Sequence, residues 1–364
     1  MAKAPKSTPG MKTSTNAGAP ARAPRSRVTI NDIARLAEVS KKTVSRVIND
    51  SPLVREDTRE KVKAVIAEHG FAPDPQARAL AFRRSFLIGL IYDNPSPQYV
   101  VNMQRGILDT LEDTSYQLVV RPCDRAAPGF HAKIREFVEQ QKLFGVILPP
   151  SVSEDDQLAE ILEEAGCPYV RIASVALDEP RNLIRTHDSD GARQAARHLA
   201  RLGHTRIAHI RGPSSFRSSH ERLAGFRQGL ADFGIELDGG LLLEGGYTFD
   251  SGVACAEKFL AMPPAKRPTA VFCGNDEMAG GVYQAARRAG LEVPGDLSIV
   301  GYDDTPMASR IWPPLTTVRL PIRDMGKAAA ELLILKFTQR GETKPIAFTP
   351  EIVERNSTAK PRKS

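Results

Sequence analysis

Residues 28–50 read VTINDIARLAEVSKKTVSRVIND, two short helical patterns joined at Ala37-Glu38-Val39. Thr29 precedes Ile30-Asn31-Asp32, an N-cap followed by an acid in the layout of a capping box. Ile30, Ile33, Ala34 and Ala37 make one apolar helical stripe. Ser40 can cap a second helix, its hydroxyl accepting a backbone N–H that the first turn leaves orphaned. Val44, Val47 and Ile48 form the inward face of that helix. Lys41, Lys42, Thr43, Ser45 and Arg46 are left on outward faces. Asn49-Asp50-Ser51-Pro52 ends it. This is the layout of a helix-turn-helix with a polar, basic second helix. Groove insertion needs such a helix: phosphate contacts fix position and a few side chains reach base edges. An ordinary helical hairpin with a solvated basic face has the same spacing, so the rest of the chain decides.

The charge distribution favours the first reading. The chain has 364 residues and a net charge of +7. Residues 1–84 carry 17 Lys and Arg against 8 Asp and Glu, hence +9, which leaves −2 for the remaining 280. Positive charge is thus concentrated where the helical pair lies, as phosphate neutralisation requires. Residues 1–27 hold six Lys and Arg and no acid, amid Ala, Pro, Ser and Thr. They read as a disordered basic arm. The arm has no apolar h-region, so no secretory signal is expected.

Downstream, Asp57 to His69 reads as a third helix with Val62, Val65 and Ile66 inward and Gly70 as its stop. Beyond Arg83-Arg84-Ser85 strands and helices alternate. Strands are expected at Phe86–Tyr92, Gln117–Arg121, Gly145–Leu148, Tyr169–Ile172, Arg206–Arg211, Ala270–Phe272 and Ser298–Tyr302. Helices are expected near Val100–Glu112, Phe130–Gln141, Asp156–Ala165, 191–202, 221–233, 251–261 and 277–289. Such alternation implies parallel sheets with helices on both faces. Two such sheets in series place a ligand in the cleft outside the strand ends.

The helix-turn-helix resembles that of the lactose-repressor (LacI/GalR) family, V-T-x-x-D-V-A-x-x-A-G-V-S-x-x-T-V-S-R-V-x-N. Glu38 departs from it, standing where the family has Gly. A positive φ is costly for Glu, so the turn is expected to be slightly altered. The resemblance continues through Leu202-Gly203-His204-Thr205-Arg206-Ile207, Glu221 to Phe226, Asn275 to Gly281, Val300 to Thr305 and Pro313 to Val318. It covers roughly residues 28–355. It implies a small all-α helix-turn-helix headpiece plus an α/β two-lobe core, type I periplasmic-binding-protein-like, with two doubly wound parallel sheets. The expected division is an arm at 1–27, a headpiece at 28–72, a hinge helix or linker at 73–85, a core at 86–355 and a polar tail at 356–364. Within the core the first lobe is expected at 86–187 plus 318–346 and the second at 188–317 plus 347–355.

The resemblance also implies a function: an effector-controlled regulator, a repressor of sugar-utilisation genes that binds a pseudo-palindromic operator as a homodimer. DNA contacts are implied for Thr29, Ser40, Lys41, Lys42, Thr43, Ser45, Arg46 and Asn49. In the linker they are implied for Ala77 and for Leu80, which matches a leucine wedged into a minor-groove base step. Asp74 stands where the family has Asn. Effector contacts are implied for Asp93 and Asn94 after the first strand, for Arg222, Asn275 and Asp303, and for Tyr247 as a stacking plate. Arg171, at a strand end, is expected to face the cleft. Leu320 replaces a polar residue of the lactose repressor, so a different effector is expected. The tail lacks leucine heptads, which makes a dimer the expected assembly.

Other classes fit poorly. The histidines show no H-x-x-x-H or H-E-x-x-H pattern. No G-x-S-x-G elbow, P-loop or G-x-G-x-x-G follows a strand. Asp155-Asp156 reads as a solvated helix start. No cofactor, metal or enzymatic activity is expected. Cys123, Cys167, Cys255 and Cys273 form no C-x-x-C pair and read as free thiols in a cytoplasmic protein. No apolar run is long enough to span a membrane. A periplasmic solute receptor would suit the two-lobe part equally well, but has no use for a basic helix-turn-helix.

Overall fold

The computed structural model describes residues 28–48, 51, 53–71, 85–338 and 344–362. The chain divides into two compact units at Arg78 and Ala79. The first contains helices α1 (Ile30–Leu36), α2 (Lys41–Ile48) and α3 (Glu56–His69) around Ile33, Ala34, Ala37, Val44, Val47 and Val62. Each fully buried aliphatic side chain contributes roughly 1.5–3 kcal/mol, which holds together helices too short to persist alone. The capping box at Thr29 is formed, the Asp32 carboxylate accepting from the Thr29 N–H at 3.0 Å. Ser40 Oγ accepts from the Thr43 N–H at 3.0 Å and starts α2. Gly70 ends α3 with a φ of 58°.

Glu38 itself takes the left-handed conformation, with a φ of 53°. Its carboxylate accepts from Lys61 Nζ of α3 at 3.0 Å. The side chain that strains the turn thereby ties it to the third helix.

In the second unit the first sheet contains β1 (Leu87–Tyr92), β2 (Gln117–Pro122), β3 (Gly145–Leu148), β4 (Tyr169–Ala173) and β5 (Leu183–Thr186). The second contains β6 (Ile207–Arg211), β7 (Leu242–Glu244), β8 (Ala270–Cys273), β9 (Ser298–Asp303) and β10 (Thr316–Arg319). β11 (Ile346–Phe348) completes the first sheet and β12 (Glu351–Val353) the second. The six-stranded orders are β11–β5–β4–β3–β1–β2 and β12–β10–β9–β8–β6–β7. Every pairing is parallel except that of β12 with β10.

The first lobe carries helices α4 (Pro97–Leu111), α5 (Phe130–Gln141), α6 (Asp156–Glu164) and, from late in the chain, α12 (Ile322–Thr338). The second carries α7 (Asp188–Arg201), α8 (Arg217–Ala231), α9 (Phe249–Leu260), α10 (Asp276–Arg288) and α11 (Pro306–Arg310). α4 and α12 cross so closely that a Cβ on Gly106 would lie 1.8 Å from the Arg323 carbonyl oxygen. Gly225 serves the same purpose where α8 meets α7, its Cβ position 2.0 Å from the Ser189 oxygen.

Three differences from expectation bear on the site. The chain crosses between lobes near His187, at Leu320-Pro321 and at Thr349-Pro350. Val318 and Arg319 therefore lie in the second lobe, and Ala347 and Phe348 in the first, because their ladders pair with β9 and β5 respectively. Second, α7 and α8 begin earlier than expected, at Asp188 and Arg217. Their first turns are polar, so an apolar stripe cannot reveal them. Third, residues 356–362 of the polar tail pack against the second lobe. Ser357 is fully buried, donating to the Ile299 oxygen at 2.6 Å and accepting from the Thr316 N–H at 2.8 Å. Arg362 pairs with Glu292 at 3.1 Å.

Candidate nucleic-acid interface and effector cleft

α2 presents the basic face read from the sequence. Lys41 and Lys42 are exposed, Ser45 and Arg46 half-buried, and Val44 and Val47 buried beneath them. Ser40 and Thr43 bond to each other at 2.8 Å through their hydroxyls, so both are partly engaged in the cap. Thr29 is exposed and belongs to the box that starts α1. Asn49, Asp74, Ala77 and Leu80 lie outside the described residues.

In the second unit a cavity of about 400 Å³, open solvent at its mouth included, lies between the lobes past the carboxyl ends of the strands. The second lobe and its edge supply Asp188, Phe216, Ser218, Arg222, Tyr247, Asn275, Asp303 and Leu320. Arg222, on α8, is only 6 % exposed. Its Nε donates to Asp188 at 2.8 Å and one terminal nitrogen to the Gly274 oxygen at 2.6 Å. The other stands 4.0 Å from Asp303, and the guanidinium lies 3.6 Å over the Tyr302 ring. Asn275 caps α10, accepting from the Met278 N–H at 3.0 Å and donating to the Tyr247 oxygen at 2.9 Å.

The backbone is strained at this rim. Tyr247 has a φ of 59°, Asp303 of 104° and Asp304 of 55°. Such conformations cost about 1–3 kcal/mol each and persist where the surroundings over-determine them. Here Asp304 is clamped by Arg319 at 2.7 Å and Arg355 at 2.6 Å. Burial pushes the Asp303 carboxyl well above the usual carboxylate range, against the pull of Arg222. Asp303 Oδ1 has no hydrogen-bond partner among the described residues. Beneath the rim, burial raises the Asp276 carboxyl to about 7, although Thr305 and Thr317 donate to it.

The first lobe contributes Asn94, Ser96, Tyr99 and Pro150, with Thr186 at the crossing strand and Met325 on α12. The Tyr99 hydroxyl is buried and also without a partner among the described residues. Direct bonds join the lobes beside the cavity. Glu154 of the first lobe accepts from the Arg217 N–H at the start of α8, at 3.1 Å. Arg125 donates to the Ser215 oxygen at 3.2 Å.

The structure thus brings Asn94, Arg222, Tyr247, Asn275 and Asp303 together, but not Arg171 or Asp93. Arg171 is in the middle of β4, not at its end, and only 2 % exposed. It donates to Asp156 at 3.0 Å and to the Leu177 oxygen at 3.3 Å, away from the cleft. Asp93 accepts from the Ser151 hydroxyl and pairs with Arg125 at 3.3 Å, beside the cavity and not lining it. Asp155 is more than a solvated helix start: it caps α6 through the Leu158 N–H at 2.9 Å and holds His131 at 3.0 Å. Sequence reasoning missed Tyr99 and Asp188. An aromatic in the first turn of the helix after β1, and an acid just past β5, are the weak signals that mark them.

Among the described residues no helix is long and apolar enough to cross a membrane, and no group of His, Cys, Asp or Glu could hold a metal ion. The four cysteines are free.

The chain matches the family of bacterial regulatory proteins, lacI family, over residues 29–74 and the periplasmic binding protein-like domain over residues 196–358. It is 34 % identical over 339 residues to the HTH-type transcriptional regulator DegA of Bacillus subtilis (strain 168), spanning 92 % of this chain and 98 % of that one. It is similar to the structure of the transcriptional regulator CelR–cellobiose complex, with a TM-score of 0.68 and 32 % identity over 91 % of this chain and 100 % of that one. It is also similar to the lac repressor dimer bound to operator and the anti-inducer ONPF, with a TM-score of 0.74 and 31 % identity over 91 % and 99 %. The chain belongs to the lacI family of bacterial regulatory proteins and is a DNA-binding transcriptional regulator.

Proposed function

We propose that the chain represses transcription as a homodimer on a pseudo-palindromic operator, and that a small sugar in the inter-lobe cleft sets its occupancy. The observation that carries this reading is the cleft. Its buried arginine, amide and carboxylates surround a cavity walled by Phe216, Leu320 and Met325. Bidentate polar groups around a ring with apolar walls above it suit a saccharide. The relatives support the sugar, since one is solved as a cellobiose complex.

On this reading Lys41, Lys42 and Arg46 meet the major groove, Arg46 pairing with guanine. Leu80 of the linker enters the minor groove when operator is bound. The sugar need only favour one lobe arrangement; a coupling of about 1–3 kcal/mol to DNA binding is typical. Fluorescence anisotropy with duplexes selected from a random pool by the full chain tests the DNA half. Arg46→Ala should lose the difference between selected and random duplexes while weak, salt-sensitive binding remains. Unchanged discrimination would remove α2 as the recognition helix.

A further inference from the structure

We propose that Arg355, in the segment after β12, is a positioning residue for the cleft: through Asp304 it holds Asp303 at the cavity wall. The inference rests on the cleft being the effector site.

Asp303 and Asp304 sit in a backbone shape that favours glycine, with φ of 104° and 55° on two residues that bear side chains. Asp303 lines the cavity, yet its Oδ1 has no hydrogen-bond partner among the described residues. Restraint on this turn therefore comes from its neighbours. On one side the Thr305 N–H donates to the buried Asp276 at 2.6 Å. On the other the Asp304 carboxylate accepts from Arg319 at 2.7 Å and Arg355 at 2.6 Å. The two arginines are not equivalent. The Arg319 side chain is 55 % exposed, and so solvated a pair contributes little. The Arg355 side chain is 19 % exposed and held at a second point, its other terminal nitrogen donating to the Leu315 oxygen at 2.8 Å.

The backbone that carries Arg355 is tied down as well. The Arg355 N–H donates to the Thr316 hydroxyl at 2.9 Å and the Asn356 N–H to the Pro314 oxygen at 3.0 Å. The Ile299 N–H donates to the Ser357 oxygen at 2.9 Å. This strap along β9 and the start of β10 delivers one charged group beneath the rim. Neither Asp304 nor Arg355 lines the cavity, so Arg355 acts on the cleft only through the turn it clamps. Holding the turn before binding lowers the ordering cost that a ligand must meet.

The test uses the full chain, melted and titrated calorimetrically with the neutral sugars ribose, glucose and cellobiose. At least one should raise the melting temperature of wild type. Arg355→Met should weaken that sugar about tenfold, and Arg355→Lys, which keeps the charge beside Asp304, less than about threefold. Asp304→Asn cuts the same clamp from its other end, with a residue that tolerates the left-handed backbone, and should match Arg355→Met. The double variant should lose no more than about twofold beyond either single one. Without sugar, amide exchange in the peptide spanning Asp303–Thr305 should quicken in Arg355→Met and Asp304→Asn while that of β6 stays unchanged. Unchanged affinity in either single variant, losses that multiply in the double variant, or exchange that quickens throughout the second lobe would each overturn the inference. If no sugar raises the wild-type melting temperature, the sugar reading fails, and the exchange contrast still decides the clamp.

Discussion

The strand orders of the two sheets correspond position for position, so each strand of one lobe has a counterpart in the other. What stands at the strand ends differs. β3 is followed by Pro149 and Pro150, whereas its counterpart β8 leads into Gly274 and the cap Asn275. β4 ends in Ala173, whereas β9 ends in the strained Asp303. Each lobe buries an arginine, but Arg171 is tied to Asp156 within its own lobe while Arg222 lines the cleft. The same scaffold thus gathers the charged and strained cleft groups in the second lobe, while the first lobe lines the cavity with Asn94, Ser96, Tyr99 and Pro150. The second lobe holds its polar groups in fixed, costly geometry, which on the proposed reading limits what must be ordered when a ligand binds.

The sharpest way to break this comparison is to remove both arginines in turn. Arg222→Met leaves Asp188 buried and uncompensated, and should cost about 3–5 kcal/mol in a urea melt and abolish sugar binding. Arg171→Met should cost about 1–3 kcal/mol, since Asp156 is largely exposed, with sugar affinity intact. Loss of sugar binding in Arg171→Met would return that residue to the cleft.

A pH effect comes next. His209 is fully buried, stacked on Phe272 at 4.8 Å, and burial lowers its pKa from 6.5 to about 4. The unfolded chain binds that proton first as pH falls. Its contribution is thus present above pH 6.5, declines below it and is lost by about pH 4, a swing of up to about 3 kcal/mol. The stability gap between wild type and His209→Phe should move by that amount between pH 7 and 4. A constant gap would mean that His209 is not held neutral.

Glu154→Ala removes a bond between the lobes but none of the recognising groups. Sugar affinity should fall only a few-fold, about 1 kcal/mol. The smallest effect lies outside the cleft. Glu38→Gly relieves a left-handed side-chain-bearing residue but loses the Lys61 pair and adds freedom to the unfolded chain, so the headpiece should gain under about 1 kcal/mol.

The headpiece was legible in sequence because its determinants are local: Thr29 with Asp32 and Ser40 with Thr43 lie one helical turn apart. The alternation of strands and helices was legible for the same reason. Long-range facts were not. Nothing local says that Ser357 inserts beside Ile299, or that β10 and α12 belong to different lobes. Asp188 and Ser218 lie in polar first turns that periodicity skips. Arg171 misled because a buried strand alternates faces, and a mid-strand side chain points into a helix-covered face and not past the strand end.

Operator anisotropy, titrated with the neutral sugar that raises the melting temperature, tests the central claim most directly in wild type, Glu154→Ala and Arg222→Met. All three should bind the selected duplex alike without sugar. The sugar midpoint should move a few-fold in Glu154→Ala, and the response should vanish in Arg222→Met. Equal shifts in the two variants, or an unchanged midpoint in Arg222→Met, would contradict the division of labour between the lobes.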